Sequence, residues 1–489
     1  MAKKSSIRLI AISALIVSIP LVTFMLEGLI IAGDDTIFHL SRIRSIATEF
    51  QFPIYMFPDW NRGLGSPAAI FYPSLFFYVP AIFWAIKIPR AIVFDGFLIS
   101  LIFFAGFFSY LGFRRILKSK FLGGIAASIY ISQGYFLFDL YNRCALGEVL
   151  AMIFLPLAIS IPRKKIFESV LIFSAILESH ILTAAITLPF LIRFNWKILA
   201  WILGINAFFI VPFCYEYFSI DVLIKYIYTN PLSEKVWEIS SDKFLNSIGL
   251  IGILILIGSI FERGKIFWIS FSLSILFAIM STEFFPWNFV ESIFPGVTTI
   301  QFPWRFMMFY SITSSIAASI ILDRIFTRKF LIIIFCILNS IFAMKTASEY
   351  DKPFFLIEDN PFEILNADYI VSEIGFEQLY RWRDGIDSFV DSRITSVNHT
   401  QGKTIIEFKD VHGFLTLPIL YYEGYEIRDE SGKILPIRES PKHLIEVEIE
   451  SGSKIEVEYR GLILFDVATT ISLVTLIIFI WRWKKCRSE

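Results

Sequence analysis

The feature that most limits how this chain can fold is a succession of long apolar runs. They lie at about 7–32, 69–86, 91–112, 121–139, 145–162, 166–179, 181–193, 198–216, 246–261, 266–281, 304–323, 330–344 and 463–481. About twenty apolar residues cover the roughly 30 Å hydrocarbon core of a bilayer, so runs of this kind ask for lipid around them. Composition agrees: of 489 residues, 56% are hydrophobic, 53 are Phe and only 18% are charged, with mean hydropathy +0.65. Water-soluble chains of this size sit well below that, so an ordinary soluble enzyme is excluded. The first run follows "MAKKSSIR", has no small-residue cleavage signature and is too long for a signal-peptide core; it reads as a retained span.

Lys plus Arg and Asp plus Glu balance at 44 each, so net charge points to no partner, and no nucleic-acid partner is expected. The basic residues matter by position, because they orient the spans. The clusters are "KKSSIR", "RRILKSK", "RKK", "RFNWK", "ERGK", "RIFTRK" and "RWKKCR". If every run crosses, "RRILKSK" falls outside; if 69–86 does not cross, every cluster falls inside. That segment carries Pro73 and Pro80, which suit a re-entrant or interfacial element. The expectation is a polytopic α-helical membrane protein of about twelve spans with both termini cytoplasmic, placed in the plasma membrane.

The exoplasmic parts are then the first outer loop 33–90, a short loop at 140–144, the loops 217–245 and 282–303, and a soluble segment of about 345–461. In the last, "KTIIEFKD", "FLTLPILYYEGYEI", "HLIEVEIE" and "KIEVEYR" alternate apolar and polar residues with period two. That predicts a small extracytoplasmic antiparallel β-domain. The chain divides into a polytopic domain 1–344, a mostly β domain 345–461, and a last span with its tail at 462–489.

Charge concentrates in "GDDTIFHLSRI", residues 33–43. If a helix starts at Asp34 or Asp35, then Asp35, His39 and Arg42 fall at i, i+4 and i+7 on one face, with Leu40, Ile43, Ala47 and Phe50 on another. The segment can then lie on the membrane surface with an acid–His–Arg stripe. A helix N-cap is the plain alternative for one Asp; two adjacent acids exceed what a cap needs. Ionisable residues at membrane depth are costly and face a cavity or one another. Arg143 and Glu148 in "RCALGE", Glu178 and His180 in "ESHILTA", Arg305 in "IQFPWRF", and Glu27 and Asp95 inside spans are of this kind. Their plain readings are an interface pair, a helix cap or a snorkelling arginine. The stretch 57–78, rich in Pro, Gly and aromatic residues with Asp59, Asn61 and Arg62, suits a sugar, a prenyl chain or an ordinary interface loop. Cys144, Cys214, Cys336 and Cys486 have no metal-ligand spacing and read as buried apolar residues.

Taken in order, "GDDTIFHLSRI", "P.W..GLGSP...FYPSL.FY", "NRCALGEVLAMIFLPLA", "SHILTA" and "IQFPWRF" resemble bacterial membrane proteins of the YfhO type and their relatives labelled "6-pyruvoyl-tetrahydropterin synthase-related" membrane proteins. Nothing in the chain resembles a pterin or zinc site. The group is similar to the GT-C glycosyltransferases, polytopic enzymes with an acidic motif just past the first span. The resemblance implies a GT-C-like fold and an inverting transfer of a hexosyl or pentosyl unit. The donor would be a sugar on polyprenyl phosphate, and the acceptor an extracytoplasmic cell-envelope glycan or lipid. Asp34 and Asp35 match the acidic pair and are the candidate base. His39, Arg42, Arg143, Glu148, His180 and Arg305 are the candidate substrate-binding residues. No ligand cluster demands a metal; if a divalent ion (Mg or Mn) is used, Asp34 and Asp35 are its ligands. A transporter or flippase for lipid-linked glycans and a non-catalytic envelope assembly protein are the competing readings. Transporters place ionisable groups near the midplane and often repeat a half; here polar motifs gather at one face and no repeat is seen.

Overall fold

The computed structural model describes residues 2–162, 164–192, 195–222, 230–349, 355–356, 370, 372–383, 391–400, 402–409 and 412–488. Among them, Ser5–Glu27, Arg90–Ile116, Pro303–Ile325, Lys329–Thr346 and Ile463–Cys486 are long and apolar enough to cross a bilayer. Two bent pairs, Lys120–Tyr130 with Gly134–Arg143 (48°) and Trp196–Ile205 with Ala207–Ser219 (83°), raise that number from 5 to 7 if each counts as one span. The protein is thus a multi-pass helical membrane protein with a small β region. Against about twelve expected crossings, several apolar runs instead form helices short of a full span, such as Leu146–Ser160 (15 residues) and Ile166–Leu177 (12 residues). The run 69–86 breaks into Ala68–Phe71, Leu75–Phe77 and Tyr78–Ala85. The expected 166–193 region forms two 12-residue helices, Ile166–Leu177 and Ile181–Ile192, with Glu178–His180 between them.

By internal packing the chain divides into two compact units that are not consecutive in sequence. The first comprises Met1–Thr36, Lys87–Ile198 and Thr229–Asp359; the second Ile37–Ile86, Leu199–Tyr228 and Asn360–Glu489. This cuts the chain differently from the three successive segments expected from the sequence.

The first unit is a helical bundle. Its core joins Leu9, Ile125, Ile129, Ile255, Phe271 and Ile321 from five helices. Within lipid, helices associate through close packing and polar contacts, and both are present. A Cβ on Gly112 would lie 2.3 Å from the Pro156 carbonyl oxygen, so Arg90–Ile116 meets Leu146–Ser160 backbone to backbone. Ser132 and Ser340 hydroxyls lie 2.9 Å apart, and Gln133 donates to Ser314 at 2.9 Å.

The second unit holds two antiparallel sheets. One runs in the order Ile394–Thr400, Lys403–Phe408, Lys454–Tyr459, Tyr425–Asp429, Ile434–Leu435; the other Gly413–Leu420, Leu444–Ile449, Ile437–Glu439. Period-two patterning turns Ile406, Leu415, Ile427, Val447, Ile455 and Val457 into one shared core. Of the expected segment 345–461, residues 350–354, 357–369, 371, 384–390, 401 and 410–411 lie outside the described residues. Residues 50–67 pack on this β region: Leu420 N–H donates to the Leu64 carbonyl at 2.8 Å. Gly402 N–H donates to a carboxyl oxygen of Glu49, the last residue of the helix Thr36–Glu49.

Burial pushes the Glu49 carboxyl up to about 7, against the Gly402 hydrogen bond that lowers it. A carboxyl raised above its unfolded value stabilises the fold fully below the unfolded pKa, and that contribution is lost as pH rises through the folded value. The wild-type unit is therefore expected to lose thermal stability relative to Glu49→Gln between pH about 4.5 and about 7. Parallel melting curves across that window check it; identical slopes for both proteins contradict it.

Candidate active site

Gly33 sets the geometry of the acidic loop. A Cβ there would lie 2.6 Å from Cys144 Cβ, 2.8 Å from its nitrogen and 2.9 Å from the Arg143 carbonyl carbon. Only glycine allows this approach. The loop is then tied by its backbone: Asp34 N–H donates to the Asn142 carbonyl at 3.1 Å and Asp35 N–H to the Arg143 carbonyl at 2.7 Å. Thr36 closes the turn, its hydroxyl donating to the Ile31 carbonyl at 3.0 Å and accepting from Gly33 N–H at 2.8 Å. Because the amides of 34 and 35 are spent on this pairing, the helix begins at Thr36.

The strand of chain that receives the loop is the π-helical stretch Phe138–Arg143, ended by Cys144 in the left-handed region (φ 54). Such local widening is rare and recurs at functional sites. It puts Arg143 against Asp139, and its Nη1 also reaches Glu148 Oε2 at 3.2 Å. Glu148, 1% exposed in its side chain, is the hub: Oε1 accepts from the Tyr135 hydroxyl at 2.6 Å and Oε2 from Arg305 Nε at 3.2 Å. Arg305 Nη1 donates to the Ile300 carbonyl (2.8 Å) and Gln301 Oε1 (3.0 Å). Two guanidiniums and two carboxylates thus balance in a buried cluster, as unpaired charges there could not. Asp35 acts electrostatically on Arg143, and Arg305, Glu148 and Arg143 all act on His180. His180 Nδ1 lies 2.8 Å from the Thr183 hydroxyl.

Each arginine is gripped through part of its fork. Arg143 uses Nη1, and Arg305 uses Nε and Nη1. Among the described residues the Nη2 groups of both make no hydrogen bond, leaving donors for an oxyanion. The first unit therefore brings Asp35, Arg143, Glu148, His180 and Arg305 into one electrostatic neighbourhood, with Asp34, exposed, tied beside it through its backbone N–H. Asp139, Tyr135 and Gln301 belong to it and were missed from sequence. Asp139 closed an apolar run, although its i, i+4 spacing to Arg143 was a usable signal.

His39 and Arg42 are placed otherwise. Expected as substrate-binding residues on a stripe of a surface helix, both are 0% exposed, in the second unit. Arg42 Nη2 donates to the carbonyls of Tyr72 (3.2 Å) and Pro73 and to the Ser74 hydroxyl (3.0 Å). Its guanidinium lies over the Phe77 ring at 4.2 Å, and His39 stacks on Phe77 at 5.1 Å. The chain break at Pro73 leaves carbonyls that no helix can satisfy, and Arg42 fills that need. Arg42→Lys keeps the charge but not the planar fork; it is expected to cost about 2 kcal/mol, measured as a lowered Tm, and an unchanged Tm contradicts this anchoring. Cys144 and Cys336 are buried, whereas Cys214 and Cys486, expected inside, are exposed on outward helix faces; all four are free. Among the described residues no group of three or more His, Cys, Asp or Glu could hold a metal ion.

No family model matches the chain, and no curated protein matches it. Among solved structures, that of the mycobacterial arabinofuranosyltransferase AftD, from single-particle cryo-EM, is similar to it with a TM-score of 0.43 and 13% sequence identity over 73% of this chain. The chain spans 28% of that protein's length.

Proposed function

We propose that this protein is an inverting membrane glycosyltransferase that moves a sugar from a polyprenyl-phosphate donor to an extracytoplasmic glycan or lipid acceptor. The observation that carries the reading is an acidic pair fixed by backbone pairing beside a half-buried Arg143 and a buried Arg305, both with uncommitted donors. A sugar on a lipid phosphate is already activated. The acceptor hydroxyl oxygen attacks the anomeric carbon, and Asp34 or Asp35 takes the hydroxyl proton. The bond from that carbon to the phosphate oxygen breaks, its electron pair leaves on the phosphate, and Arg143 and Arg305 hold the charge that develops. Glu148 keeps both arginines in place and Tyr135 orients Glu148.

The test is lipid-linked saccharide analysis in a deletion strain complemented with wild type, Asp34→Asn or Asp35→Asn. All three are expected at equal levels in the membrane, with transfer lost in at least one variant. Full transfer by both overturns the proposal.

A further inference from the structure

The second unit contains a separate cleft that holds none of the residues assigned to transfer. It opens between the end of the helix Thr36–Glu49, the loop after it and the five-stranded sheet, as an open-sided space of about 470 Å³ counting the solvent it opens to. Its wall includes Glu49, Gln51, Tyr55, Thr404, Tyr425 and Tyr459. Two glycines in the left-handed region allow close packing beside it. Gly63 (φ +85) faces His399, whose Nε2 would be 2.6 Å from a Cβ, and Gly65 (φ +86) faces the Tyr425 hydroxyl at 3.3 Å.

The polar groups of this wall are under-used. The Tyr459 hydroxyl is buried and has no hydrogen-bond partner among the described residues, although a buried hydroxyl normally finds one. Glu49 accepts Gly402 N–H with Oε2; its Oε1 accepts nothing among the described residues. Tyr425 and Tyr459 meet edge to face, ring centroids 5.0 Å apart at 76°, so their rings are rigid walls. Lys, Arg and His are absent from the lining, which argues against an anion. A single carboxylate, with no metal-holding group among the described residues, argues against a divalent cation. A ligand with many hydroxyls and an apolar C–H face satisfies every feature at once: hydroxyls donate to Glu49 and bond the tyrosine and Gln51 groups, and the C–H face lies on an aromatic ring.

We propose that this cleft binds a neutral pyranose unit through the Glu49 carboxyl, the Tyr425 and Tyr459 hydroxyls and the aromatic wall. It is a saccharide-binding site in its own right, and it stands whether or not the buried cluster is catalytic.

The experiment is saturation-transfer difference NMR on the full-length protein in a sugar-free amine-oxide detergent. The probes are methyl β-D-glucopyranoside, methyl β-D-galactopyranoside and methyl α-D-mannopyranoside. At least one is expected to show saturation of its ring protons. Its Kd is expected to weaken about tenfold in Glu49→Gln, which exchanges a carboxyl oxygen for an amide NH2 and loses the charge, and in Tyr459→Phe, which removes the hydroxyl. Tyr459→Phe keeps the ring, so a retained Tm separates lost binding from lost fold. Absence of saturation for all three probes, or equal saturation in both variants, overturns the proposal. Displacement of the pyranoside by inorganic phosphate does so too, because it would make the cleft an anion site.

Discussion

Replacing Glu148 with Leu is expected to be among the most destabilising single substitutions in this protein, by about 3–5 kcal/mol. The side chain is 1% exposed and lies 3.2 Å from both Arg143 Nη1 and Arg305 Nε. Its removal leaves Arg305 buried with no carboxylate partner, and Arg143 with Asp139 alone. Burying an unpaired guanidinium costs more than the lost attraction, so the remedy is to remove the second charge as well. The double variant Glu148→Leu/Arg305→Met is expected to recover much of the loss, because Arg143 keeps Asp139 and the space fills with apolar groups. Thermal unfolding in detergent of the two singles and the double, read as a cycle, measures the coupling. A double variant no more stable than Glu148→Leu alone would mean that the two side chains do not depend on each other.

That cycle also marks where sequence reasoning stops. Glu148 and Arg305 each stood out alone, because a charge in an apolar run is expensive wherever it points. Nothing local joins them: they are 157 positions apart, and only the packing of two helical segments makes them neighbours. Strand periodicity, by contrast, is a local property, and "KIEVEY" and "LIEVEI" alternate in burial as they alternate in sequence. Arg42 shows an intermediate case. Helical spacing correctly puts it on one face with His39, but spacing does not say which face is covered. The covering comes from the Pro73 break, whose carbonyls Arg42 satisfies. Glu49 was passed over entirely. Its partner Gly402 lies 353 positions away, and a lone glutamate at a helix end carries no motif. Span number is hard to read for a similar reason: hydropathy registers a run's length, whereas Pro, Gly and helix-end geometry decide whether the run stays one straight helix.

The acidic loop yields the largest expected effect on activity, and its attachment makes the result readable. Asp34 and Asp35 are bound to the Asn142 and Arg143 carbonyls through main-chain N–H groups. Asn substitution keeps those amides and the side-chain shape, and it removes only charge and basicity. Loss of a general base typically lowers the rate ~10²–10⁴-fold, and transfer by Asp34→Asn or Asp35→Asn is expected to fall in that range with insertion and Tm intact. Gly33→Val is the converse experiment. It keeps both carboxylates, but its Cβ would sit 2.6 Å from Cys144 Cβ and 2.8 Å from the Cys144 nitrogen, so the loop must withdraw from Arg143. A displacement of about 1 Å at a reacting group can cost ~100-fold, so Gly33→Val is expected to lose transfer as well. If Gly33→Val transfers normally while an Asp→Asn variant does not, the carboxylate matters but its pairing beside Arg143 does not. If both Asp→Asn variants transfer normally, the base lies elsewhere. Only joint loss, with the protein still inserted and folded, supports chemistry by an acid held beside the arginines.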